Sequence, residues 1–138
     1  MFHLTIVTAE KTVYEGEIEM LVAPAVDGEI GIMTNHHPLV TKLGAGGLRV
    51  VKADKSEELL FVAGGYLEVN NNKATILANI AEDLEAIELE QARAARLRAA
   101  DMLKSAKGEI EMEKLEEELR VQMIRERMAE VAKFRKQK

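Results

Sequence analysis

The chain changes character at about residue 84. Before that point Gly, Val, Thr and Asn punctuate short alternating runs; beyond it, roughly fifty residues rich in Ala, Glu, Leu, Arg and Lys continue without a proline. Eight of the nine glycines and both prolines, Pro24 and Pro38, lie in the first part, and only Gly108 lies in the second. Alternation with a period of two, cut by turn residues, selects strands; a long proline-free run of helix formers selects helices. The expected architecture is a compact β domain of many short strands, a sandwich or flattened barrel, over residues 1–84, followed by a two-helix hairpin over residues 85–138. Such a hairpin is too thin to bury a core of its own, so its function is expected to lie in what it packs on.

Phe2, Leu4 and Ile6 alternate with His3, Thr5 and Val7 as a first strand. Further strands are predicted over 12–17, 18–23, 29–33, 38–42, 48–52, 58–63, 66–70 and 73–80. Turn chemistry separates them at Asp27-Gly28, Gly44 to Gly47, Ala53 to Ser56 and Asn70-Asn71-Asn72. No helix-length segment lies between strands, which argues against a parallel βαβ sheet. In the second part Ala92, Ala95, Ala99, Met102, Leu103 and Ala106 share one helix face. Gly108 stands where a left-handed helix C-cap is common.

A second helix is predicted from Glu109 or Ile110 toward Phe134. It carries one apolar stripe of Met112, Leu115, Leu119 and Met123, and another of Val121, Ile124, Met128 and Ala132. One stripe suffices for a hairpin; the other either covers the β domain or meets a second partner. Beyond Leu119 there are seven cations against two acids, Glu126 and Glu130, which suits the helix dipole and an acidic partner surface, or else is a solvated face.

Several chemistries are disfavoured. A net charge of −5 argues against general nucleic-acid binding. The absence of cysteine removes disulfides and thiolate metal sites. No stretch approaches the ~20 apolar residues of a membrane span, and the N-terminus runs into strand pattern without a signal-like core. His36-His37-Pro38 has the wrong spacing for a metal site, so no metal ligands are expected. Gly44-Ala45-Gly46-Gly47 lacks the Gly-Lys-Ser/Thr of a phosphate loop. No serine lies in a nucleophile elbow, and no catalytic residue is expected.

Three motifs occur in order: Gly28-Glu29-Ile30-Gly31-Ile32, Asn35-His36-His37-Pro38-Leu39, and Gly64-Gly65-Tyr66-Leu67-Glu68-Val69. Together with the hairpin that follows, they resemble the epsilon subunit of bacterial F-type ATP synthases along essentially the whole chain. The resemblance implies an antiparallel β-sandwich of about ten short strands followed by an antiparallel two-helix hairpin, in a non-catalytic subunit of the central-stalk rotor bound to gamma and the c-ring through residues 1–84. It would couple proton flow to synthesis, from a peripheral position on the cytoplasmic face of the plasma membrane. Glu29 and His36 match loops that face the c-ring in this family. The hairpin would extend along gamma toward beta and alpha and inhibit hydrolysis, with Arg120, Arg125, Arg127, Lys133 and Arg135 meeting the acidic part of beta.

Many members bind ATP as a regulatory ligand through a signature resembling Ile/Leu-Asp-x-x-Arg-Ala. The gap-free equivalent is Ile87-Glu88-Leu89-Glu90-Gln91-Ala92, with Glu for Asp and Gln for Arg; a shift of two residues places Arg93 at the arginine. Glu82, Arg98 and Arg125 match other nucleotide positions of the family. The carried-over ATP set is therefore Glu82, Ile87, Glu88, Gln91, Ala92, Arg98 and Arg125, and no cofactor is required. A free-standing nucleotide sensor, a sandwich adaptor and a carbohydrate module are the competing readings. The carbohydrate module is disfavoured by the aromatic content of 4%.

Overall fold

A computed structural model describes residues 1–136, with side chains through residue 134. The chain divides into two compact units, Met1–Asp83 and Leu84–Lys138. The first contains eight strands: β1 (Phe2–Val7), β2 (Thr12–Ile18), β3 (Met20–Ala25), β4 (Gly28–Met33), β5 (Leu39–Lys42), β6 (Gly46–Val51), β7 (Glu57–Asn70) and β8 (Lys73–Asp83). Their hydrogen-bonded order is β2-β1-β8-β7-β6-β3-β4, with β5 on the second half of β7. Neighbours are antiparallel except β1 and β8, the first and last strands, which run parallel.

Fewer strands are present than the turn signals suggest, because 58–63 and 66–70 are halves of β7. The first half of β7 pairs with β6 and the second with β5, while β8 accompanies both. The two long strands thus pass from one layer of the sandwich to the other. The inward positions record the passage. On β7 they are Leu60 and Val62 before the bend, and Leu67 and Val69 after it. Even numbers become odd, because the chain must turn its inner face round the core. Phe2, Leu4 and Ile6 of β1, Ile18, Leu21, Ile32, Leu48 and Ile76 complete a mainly aliphatic interior.

Gly64 (φ +72°) and Gly65 (φ +104°) make the bend. A Cβ at Gly65 would stand 2.0 Å from the Leu77 carbonyl oxygen and 2.8 Å from Ala78 Cα. At Gly64 the nearest obstacle is the Asn79 side chain, 2.4 Å away, which can rotate aside.

In the second unit a 3₁₀ turn (Leu84–Ala86) leads to α1 (Leu89–Lys104) and α2 (Glu109–Lys136). α2 folds back along α1, and the turn packs on α2. Ala92, Ala99, Val121, Ala129 and Ala132 are buried; Met112 and Met123, half of one predicted stripe, are exposed. Gly108 is left-handed (φ +86°), as its type suggests, but it serves α2 instead of ending α1. The C-cap of α1 is Ser105, whose N–H donates to Met102 O. Gly108 O accepts the Met112 N–H at 3.1 Å, the first bond of α2.

Gly65→Ala should lower unfolding stability by about 2–4 kcal/mol, combining backbone strain with overpacking. Gly64→Ala should cost less, since its obstacle is a side chain; urea unfolding of the two variants checks the order.

Candidate functional site

Glu29 lies within β4, a terminal strand of the sheet, and His36 lies beyond its end. Glu29 lies at its start, exposed and paired across the ladder with Pro24. His36 lies in the loop after its end, half-buried. The intervening residues Ile30–Met33 cover on the order of 13 Å of strand, so the two side chains mark opposite ends of one edge. Alternation sends Ile32 into the core and leaves Glu29, Gly31 and Met33 exposed.

The His36 loop is shaped by contacts that sequence reading overlooked. Asn35 is left-handed (φ 65°), and its N–H donates to Asn72 Oδ1 at 2.7 Å. Asn72 Nδ2 donates back to Asn35 Oδ1 at 3.1 Å. Asn71 and Asn72 themselves have φ of 50° and 59°, as a two-residue hairpin turn between β7 and β8 requires. One turn therefore closes the β7–β8 hairpin and fixes the histidine loop. The asparagines were legible as turn formers; their partnership, 37 residues apart, was not. His36 Nδ1–H donates to the His37 carbonyl at 2.7 Å, which directs Nε2 away from that bond.

The residues carried over for nucleotide are distributed over both units. Glu82 lies on β8, while Ile87, Glu88, Gln91, Ala92, Arg98 and Arg125 lie in the helical unit. Ile87 and Ala92 are buried; Gln91 and Arg98 are exposed on α1, and Arg125 is half-buried on α2. Glu88 is the N-cap of α1: its carbonyl accepts the Ala92 N–H at 3.0 Å, while its side chain makes no cap bond. Arg93, the arginine of the shifted motif, lies 3.5 Å from Glu126 and 3.6 Å from Glu130.

The C-terminal cations do not form one stripe. At ~100° per residue Arg120 and Arg127 share a face, with Arg125 about 160° away from Arg127 and Lys133 about 80° from Arg125. Arg120 pairs with Glu117 at 3.1 Å. Arg120, Met123, Ile124 and Arg127 line an open cleft of about 460 Å³ beside Arg96 and Glu126. The Arg135 side chain lies outside the described residues. Among the described residues no three His, Asp or Glu side chains could hold a metal ion, and no helix is long and apolar enough to cross a membrane.

Comparison with known proteins converges on one family. Residues 1–84 match the family described as ATP synthase, Delta/Epsilon chain, beta-sandwich domain. The ATP synthase epsilon chain of Delftia acidovorans is 38% identical over 136 residues, covering 99% of this chain and 97% of its own length. That of Desulforamulus reducens is 44% identical over 113 residues, 82% of this chain and 85% of its own. Among solved structures, the Euglena gracilis mitochondrial ATP synthase (OSCP/F1/c-ring, rotational state 1) contains a chain similar in fold. Its TM-score is 0.74 at 22% identity, covering 88% of this chain and 76% of that one. A chain of the Tetrahymena thermophila mitochondrial ATP synthase central stalk and c-ring gives a TM-score of 0.53 at 17% identity, covering 64% and 71%.

Asn72→Gly keeps the left-handed turn but removes the bonds to Asn35. It should cost about 1 kcal/mol or less and speed amide exchange in residues 34–37, measured by NMR.

Proposed function

The chain belongs to the ATP synthase epsilon chain family, a non-catalytic part of the rotary enzyme, and from that premise we propose that it is the regulatory rotor subunit of the central stalk. The observation that carries the reading is the match along 136 residues, which spans the sandwich and the hairpin alike. In this reading the β domain binds gamma and docks on the c-ring through the β4 edge, with Glu29 and His36 at its two ends. It thereby helps couple proton flow to synthesis. The complex holds it at the cytoplasmic face of the plasma membrane, with no membrane insertion of its own.

The hairpin is the regulatory element. Extended, α2 would lie along gamma and reach beta and alpha, and hydrolysis would be inhibited. The geometry narrows which cations can act together: Arg120 and Arg127 can meet one acidic surface, while Arg125 and Lys133 point elsewhere around the helix. ATP in this reading is a regulatory ligand of the hairpin. Gln91 supplies no charge where the family's arginine would contact phosphate.

A tagged chain expressed in its native membrane should co-purify with gamma and c subunits; recovery of the chain alone would favour the free-standing sensor. Neutralising Arg120 and Arg127 together should raise hydrolysis by the reconstituted enzyme by up to about thirty-fold, because exposed ion pairs contribute at most about 1 kcal/mol each and two are removed. An unchanged rate, with deletion of residues 109–138 raising it, would assign inhibition to apolar packing on gamma.

A further inference from the structure

The seam between α1 and α2 is closed by charge as well as by alanine. Arg93 and Arg96 stand about one turn apart on α1 and meet Glu126 and Glu130, about one turn apart on α2. The Glu126 side chain is 13% exposed and receives a guanidinium at each oxygen. Arg96 Nε donates to Oε2, and Arg93 Nε lies 3.5 Å from Oε1. Arg93 Nη2 continues to Glu130 at 3.6 Å. Beyond Leu119 the chain has two carboxylates among seven cations. Both are spent on the arginines of α1.

Arg93 is also the cation that restores the nucleotide signature in its shifted register. A phosphate approaching that guanidinium competes with the two carboxylates that already face it. The arrangement around Glu126 is the one an anionic ligand would seek: two arginines converging on a sheltered position. We propose that Glu126 is an internal latch, filling the anion position between Arg93 and Arg96 so that the hairpin of this chain closes without nucleotide. Its regulatory meaning rests on the proposed role of the hairpin; the latch itself is a property of the isolated chain.

Native-state hydrogen exchange on the full chain tests this. At 0.1 M salt the α1 and α2 amides of the wild type should be protected without ATP, and added ATP should change their exchange little. Glu126→Gln and Arg96→Gln should each speed exchange along the seam about five-fold or more. The double variant should exchange no faster than the faster single one, because it leaves no orphaned charge. Glu126→Asp, which keeps the charge, should retain most of the protection, and the amides of β1 and β8 check that every variant is folded. Moving from 0.1 M to 1 M salt should loosen the wild-type seam as the Debye length falls from ~10 Å to ~3 Å.

Three results would overturn the latch: a Glu126→Gln seam as protected as wild type, fully additive effects of the two glutamine substitutions, or a wild-type seam that closes only when ATP is added. Hydrolysis by the reconstituted enzyme separates the latch from the regulatory reading. A looser seam with unaltered inhibition upholds the latch and removes the hairpin from regulation. A looser seam with stronger inhibition supports both.

Discussion

At Gly65 the Leu77 carbonyl of β8 occupies the space in which any other residue would place a Cβ. This close approach lets β7 and β8 turn together without losing their ladder: Ala63 still faces Ile80 before the bend, and Gly65 faces Ala78 at it. The rest of the sandwich follows. β6 and then β3 and β4 extend one layer from the first half of β7, while β5 attaches to its second half and β1 and β2 to β8. The edge carrying Glu29 and the loop carrying His36 therefore inherit their positions from two glycines roughly thirty residues downstream. The Asn35–Asn72 pair supplies the local tie, joining the end of the β4 edge to the turn that closes β7 on β8.

Elements governed by local rules were legible before the structure. Phe2, Leu4 and Ile6 alternate into the core as their period requires, and Asn71-Asn72 turns the chain where asparagine tolerates positive φ. Two features failed for physical reasons. Gly64-Gly65 reads as punctuation between strands, since nothing local distinguishes a glycine that ends a strand from one that bends it. Gly108 reads as the end of α1 because a left-handed residue at a helix boundary serves either neighbour; here Ser105 closes α1 and Gly108 opens α2. The candidate site divides in the same way. The motif residues were recognisable by type and order, whereas the β4 edge between Glu29 and His36, and the asparagine clasp beside it, depend on strand pairing.

The hairpin shows the limit of one-dimensional charge reading. A run of cations beyond Leu119 looks like one basic surface, but helical geometry separates Arg125 from Arg120 and Arg127 by nearly half a turn. The carboxylates interrupting that run looked incidental, yet Glu126 and Glu130 are the groups that engage α1.

Magnitudes explain why those carboxylates matter. Burying the methyls of Ala92, Ala99, Ala129 and Ala132 contributes on the order of 3 kcal/mol, at roughly 0.8 kcal/mol for each, and Val121 adds about 1.5–3 kcal/mol. An apolar seam of that size exceeds the contribution of a few ion pairs at about 0.2–1 kcal/mol each, but not by an order of magnitude when a partly buried network lies toward the upper end. In a leucine-rich bundle the same four charges would be a minor correction to packing. In a seam of alanine they are a substantial part of what keeps the helices together, and they are the part that salt or a competing anion can reach. A thin apolar seam closed by charge is thus more readily opened than a leucine-rich seam of the same length would be.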